Sequence, residues 1–221
     1  DAPVPPKLGI FGFGTDGSNT STTNLVSAVG VFSTDVAGVG TVRQQLSATE
    51  YGGDKAIFGF GHDGSNQNMT NLVSNTGVVA TDTAGVGTAR HALGACAYGT
   101  DKGIFGYGYV TGAVSMTNLV SNTGVVATDV TGVGTSRYYL KATEYGTDKG
   151  IFGYGSTGSI TGITNLVSNT GVVAADVAAV GTARNDLAAT QYGADKAVFA
   201  YGDTGSKTSI SNLVSNTGVV A

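Results

Sequence analysis

Tryptophan is absent from this 221-residue chain; cysteine occurs once, histidine twice and proline three times. A lone cysteine, Cys96, excludes an internal disulfide framework and any cysteine metal cage. Charge is scarce as well: Asp, Glu, Lys and Arg make up 12%, and the net charge is -4. Without a cluster of Lys and Arg there is no footprint for a phosphate backbone, so nucleic acid is not an expected partner. No apolar run approaches the ~18 residues that a membrane span needs. The composition is not that of a disordered chain either, which would combine low hydrophobicity with high net charge. A single domain of this length buries about 70% of its unfolded surface. The chain opens on Asp1 and not Met, which reads as a processed product or an excised fragment.

What the chain has in plenty is glycine, 36 residues, and a strict period. The aromatic of an IFGFG-type segment falls at Phe11, Phe58, Phe105, Phe152 and Phe199, and the asparagine of a TNLVSN-type segment at Asn24, Asn71, Asn118, Asn165 and Asn212, each 47 residues apart. One domain over 1–221 therefore divides into units 8–54, 55–101, 102–148, 149–195 and a truncated 196–221. Five full units counted from Leu8 need 21 more residues than the chain supplies. The shortfall corresponds to residues 34–54, which leaves four copies of the Arg43-to-Tyr51 strand against five of the others.

Within residues 88–130, four short segments are separated by turn residues: TARHALGACAY, KGIFGYG, MTNLVSN and GVVATDV. In the second, Ile104, Gly106 and Gly108 alternate with Phe105 and Tyr107, the period of two expected of a strand, so that aromatic faces can pack on glycine faces of the next unit. Gly99-Thr100-Asp101 reads as a tight turn, and another falls near Thr123-Gly124. Heptad-like apolar spacing is missing, which excludes a helical solenoid. The expected architecture is an all-β five-bladed β-propeller of four-stranded antiparallel blades; a β-solenoid or an open array of sheets are the alternatives.

The succession Arg90, Tyr98-Gly99, Ile104-Phe105-Gly106-Tyr107-Gly108, Asn118, Val120 and Asp129 resembles a kelch repeat, with Gly-aromatic-Gly in place of the kelch double glycine and without the kelch tryptophan. The layout is similar to that of tachylectin-2-type lectins, and the repeat texture to phage tail-fibre and bacterial surface proteins. The resemblance implies a propeller and points to an extracellular, cell-surface or virion setting. Kelch phase would place the Arg43-to-Tyr51 strand innermost. Losing one innermost strand strips a buried edge of hydrogen bonds, so the sequence favours a phase with IFGFG innermost, or a chain cut from a longer array. Asp1 to Lys7 is expected to cover the open edge, where its prolines are tolerated.

The units drift most in the loop after the aromatic strand, for example HDGSNQNM at 62–69 and YVTGAVSM at 109–116, and just after each arginine. Antiparallel strand order brings both spots to one face. The candidate ligand-binding residues are His62, Asp63, His91, Tyr109, Tyr138 and Tyr139, and the expected partner is a glycan or a protein. Arg43, Arg90, Arg137 and Arg184 recur with Asp35, Asp82, Asp129 and Asp176 eight residues before them; these are expected to pair across the connector as structural ion pairs. Tyr51, Tyr98, Tyr145 and Tyr192 are expected to pack on neighbouring units, and Asp-Lys pairs such as Asp101-Lys102 to close turns. Asp16-Gly17-Ser18-Asn19 lacks the alternating oxygens of a calcium loop. No nucleophile with a base and no metal or cofactor site is expected, so the chain reads as a non-enzymatic binding module. A ligand-free structural, engineered or recently amplified scaffold is the rival, and an enzyme on a kelch-type scaffold a third possibility. Self-association through an unfilled blade edge is also expected.

Overall fold

The computed structural model describes residues 8–221, and among them it is all-β, with no helix. Five antiparallel sheets follow one another along the chain. The first has two strands, β1 (Gly9–Thr15) and β2 (Asn19–Val26). The second is β3 (Ser47–Tyr51), β4 (Lys55–His62) and β5 (Asn66–Val73). The third is β6 (Gly94–Tyr98), β7 (Lys102–Tyr109) and β8 (Ala113–Val120). The fourth is β9 (Lys141–Tyr145), β10 (Lys149–Gly153) and β11 (Thr164–Val167), and the fifth β12 (Ala188–Tyr192), β13 (Lys196–Ala200) and β14 (Ser211–Val214). Segment 1–7, expected over an open edge, lies outside the described residues.

The local chemistry sets these elements. Gly99 and Thr100 take φ of 61° and 71°, left-handed conformations that reverse the chain within the three-residue loop between the paired Tyr98 and Lys102. Lys102 bonds Asp101 at 2.8 Å across that turn, as the sequence implied, and the other units repeat the pair. The fourth segment of each unit is not a strand. Val79 and Thr83 touch β5 only as isolated bridges to Val73 and Thr70, so the sheets have three strands plus an extended flap.

The strand phase differs from the sequence expectation. The IFGFG-type strand lies second in its sheet, β4 pairing with both β3 and β5, and is not innermost. The strands that converge are β3, β6, β9 and β12, each packed on the next. A backbone ladder runs through the residues before them: Ala92 N donates to Gln45 O (2.9 Å), Tyr139 N to Ala92 O (2.8 Å) and Asp186 N to Tyr139 O (3.1 Å). The cause is local. A tight turn ties Tyr51 to Lys55, and hairpin closure over so short a loop costs far less entropy than pairing through the long connector. The consequence is a first sheet with no inner strand among the described residues.

Sheets stack face to face through the expected aromatic-on-glycine contact. A Cβ on Gly59, Gly106 or Gly153 would lie 2.8, 2.6 or 2.7 Å from the ring of Phe105, Phe152 or Phe199 in the next sheet. Phe60–Phe105, Tyr107–Phe152 and Tyr154–Phe199 meet with centroids 5.1, 5.1 and 5.2 Å apart. Both faces of an interior sheet are thereby buried, which is why every residue of β6 is buried. The outer faces of the first and fifth sheets stay open: Phe11 and Tyr201 are each 61% exposed, whereas Phe105 and Tyr107 are fully buried. Tyr51, Tyr98 and Tyr145 are buried against Gly124, Gly171 and Gly218 as expected, and Tyr192, at the open face, is 39% exposed.

Candidate binding face

Each interior unit is organised around its arginine. Arg43, Arg90, Arg137 and Arg184 have no exposed surface, and each guanidinium lies over an aromatic ring of the preceding sheet, 4.3 Å from Phe13, Phe60 and Tyr107 and 4.1 Å from Tyr154. In its own sheet Arg90 donates from Nε to Tyr107 O (2.8 Å), from Nη1 to Thr88 O (3.1 Å) and from Nη2 to Asn118 Oδ1 (2.7 Å). Arg137 departs in one detail that nothing in the structure explains: its Nε has no partner.

The expected pairing of each arginine with the aspartate eight residues earlier is wrong. Arg43 meets Asp82, Arg90 meets Asp129 and Arg137 meets Asp176, all 39 residues later, at 3.8 to 3.9 Å. The connector crosses from one sheet to the next, so Asp82 and Arg90 belong to different sheets. Even the observed ion pairs are long. Asp129 is held chiefly by Thr88, through the hydroxyl (2.7 Å) and the N–H (3.0 Å), and by Asn118 Nδ2 (3.0 Å). Burial alone would push this carboxyl up, but those bonds and the charge of Arg90 together hold it below the ordinary carboxylate range. Desolvation pulls Arg90 down to about 10, still cationic at neutral pH. Asp35, in the first sheet, bonds Asn24 (2.8 Å).

The variable residues gather where the inner strands begin. His62 bridges Gln44, and His91 bridges Tyr109, so the residue after the arginine lies beside the last residue of the aromatic strand. Rings then touch in series: His62–His91 at 5.1 Å, His91–Tyr109 at 5.5 Å, Tyr109–Tyr138 at 5.0 Å and Tyr138–Tyr139 at 5.1 Å. Five of the six candidates thus form one half-buried aromatic ribbon across the second, third and fourth sheets. The sixth, Asp63, is committed to its own loop, accepting from Ser65 N (3.1 Å) and Gln67 Nε2 (2.8 Å).

Hydrogen bonds fix the ribbon's polarity. Asn66 donates from Nδ2 to Val110 O (3.0 Å), so its Oδ1 is the acceptor 2.6 Å from His91 Nδ1, which must carry the proton. Burial, and then His62, keep the His91 imidazole below its ordinary pKa, leaving Nε2 as an acceptor at neutral pH. Gly64 N donates to His62 Nδ1 (3.2 Å). Tyr139 accepts from Gln45 Nε2 (3.2 Å) across an opening of about 230 Å³, which Ala92, Leu93, Lys141 and Asp186 also line. Sequence reasoning missed Asn66 and Gln45, which stand in variable positions. It also gave no role to Asn71, Asn118 and Asn165, which receive the buried arginines. The signal was there: asparagine is poor in strands, and holding it in all five units calls for a side-chain partner.

Among the described residues no three His, Cys, Asp or Glu gather as for a metal ion. The Cys96 thiol is buried, and desolvation first, then Glu144, raise it far above its ordinary pKa, so it is an inert packing group. Neither protein-family models nor curated proteins give a match to this chain.

Proposed function

We propose that the chain is a non-catalytic recognition module: a kelch-phase array of five propeller-type blades whose aromatic ribbon docks a glycan. The observation that carries this reading is where the symmetry breaks. The position of Tyr109 holds Thr15, His62, Ser156 and Asp203 in the other units, and that of Tyr138 holds Gln44, His91 and Asn185. Aromatics occupy these sites only in the neighbouring second and third units, where their rings join. Ring faces backed by polar groups such as His91 Nε2 and the Gln45 amide suit a sugar, which offers apolar C–H faces and a rim of hydroxyls.

The test is a glycan array with the intact chain, followed by Tyr109→Ala and Tyr138→Ala. Each is expected to weaken binding roughly tenfold or more, as loss of an anchoring aromatic does, while the circular dichroism spectrum stays unchanged. An array and a protein pull-down that both stay blank favour the spacer reading instead, and variants that bind as the parent does rule out the ribbon as the site. That rival has an observation of its own: the buried arginine recurs in four units, each donating from Nη1 to the carbonyl of the threonine two residues before it, as a scaffold kept for symmetry would.

A further inference from the structure

On the first sheet, groups that are satisfied in the second, third and fourth sheets lack their partners among the described residues. β1 pairs only with β2, whereas β4, β7, β10 and β13 each carry an inner strand. Asp35 receives Asn24 (2.8 Å) but no threonine or arginine, whereas Asp82 is also gripped by the Thr41 hydroxyl and N–H (2.7 and 2.9 Å) and faces Arg43. Between the first and second sheets lies a cavity of about 480 Å³, bounded by Leu8, Ile10, Leu25, Ala48, Ala56 and Val73.

The later interfaces show what fills that space. Gly103 and Gly150, the counterparts of Ala56, abut Thr49 of β3 and Cys96 of β6. Gly124 and Gly171, the counterparts of Gly77, abut Tyr51 and Tyr98 at the ends of the same strands, whereas Gly77 meets only Leu25. The cavity therefore has the outline of one inner strand, with places for its threonine and its tyrosine.

We propose that this edge and cavity form a strand-acceptor socket for an extended segment of the chain's own Thr-x-Arg-plus-inner-strand sequence. Such a segment adds a strand to the free edge of β1 through backbone hydrogen bonds. Its arginine reaches the Phe13 carbonyl and Asn24, its threonine hydroxyl and N–H reach Asp35, and its inner threonine and terminal tyrosine enter the cavity toward Ala56 and Gly77. Each contact repeats one that the second, third and fourth sheets make within the chain.

The experiment uses the intact chain and a fluorescein-labelled peptide TSRYYLKATEYG, the sequence of residues 135–146. Expected are saturable binding at one peptide per chain and a melting temperature that rises with peptide concentration. Replacing the peptide's arginine by alanine is expected to weaken binding about tenfold or more, and Asp35→Asn in the protein to weaken it several-fold, with the two losses less than additive. Ala56→Trp, which fills the cavity, abolishes binding. The proposal is overturned if a scrambled peptide binds equally, if no saturable binding is seen up to ~1 mM, or if Asp35→Asn binds every peptide as the parent does. Asp35 is exposed, so that variant decides the matter even if Ala56→Trp does not fold.

Discussion

The guanidinium of Arg90 is fully buried, and its neighbours depend on it. It satisfies Tyr107 O and Asn118 Oδ1, and covers the ring of Phe60. Arg90→Met keeps the volume but orphans these acceptors beside Asp129, and is expected to cost about 3 kcal/mol or more, measured by urea denaturation. A second prediction concerns pH. The Asp129 carboxyl is depressed in the folded state, so its stabilisation is present above the ordinary value near 3.9 and is lost as pH falls through the folded value. Asp129→Asn should therefore lower stability at pH 7 and flatten the loss seen on acidification below the ordinary carboxylate value near 3.9, followed by thermal melts across pH. At this scale the sequence shows which polar residues are constant but misassigns their partners. Eight residues in sequence is close, yet the intervening connector changes sheets, and the true partner comes 39 residues on.

Between elements, the decisive contact is a ring against a bare backbone. Gly106 has no left-handed backbone requirement, so Gly106→Ala tests space alone: the new Cβ meets Phe152 at 2.6 Å. Overpacking of this kind is expected to cost about 1–3 kcal/mol. Phe152→Leu in the same chain should return part of it, giving a favourable coupling in a double-mutant cycle read by denaturant unfolding. The alternation of glycine and aromatic residues announces this packing in the sequence. It does not announce the bulge between Gly106 and Gly108, where Tyr107 takes φ of 63°. A bulky residue in the left-handed region goes against local preference. Stacking on Phe152 and a hydrogen bond from its hydroxyl to Val133 O (3.1 Å) hold it there.

For the molecule as a whole, stability should grade from the middle outwards. Amides of β7 have neighbours on both faces, while β1 has no inner partner among the described residues and leaves Phe11 exposed. Hydrogen exchange is expected to be slower in β7 than in β1 by roughly tenfold or more, as local opening energies follow burial and pairing; equal rates along the chain would show a single cooperative unit instead. The 47-residue period and the all-β class are legible without coordinates, because strand alternation and turn residues are local signals. The strand phase is not. It turned on weighing a missing inner strand against a tight hairpin, and the hairpin prevailed.

The backbone ladder from Gln45 through Ala92 and Tyr139 to Asp186 runs donor to acceptor in one direction only, and each rung joins nearest neighbours alike. For the gene, this means that copy number is free while reading register is not. Deleting residues 102–148 would join Asp101 to Lys149, restoring the same Asp-Lys turn and the same aromatic-on-glycine contact that any two neighbours make. Losing or gaining one whole period leaves no scar at the junction, whereas a one-residue slip inside a strand turns the rest of that strand's side chains to the wrong face. Recombination between the near-identical units could therefore shorten or lengthen the array without first having to evolve a new interface.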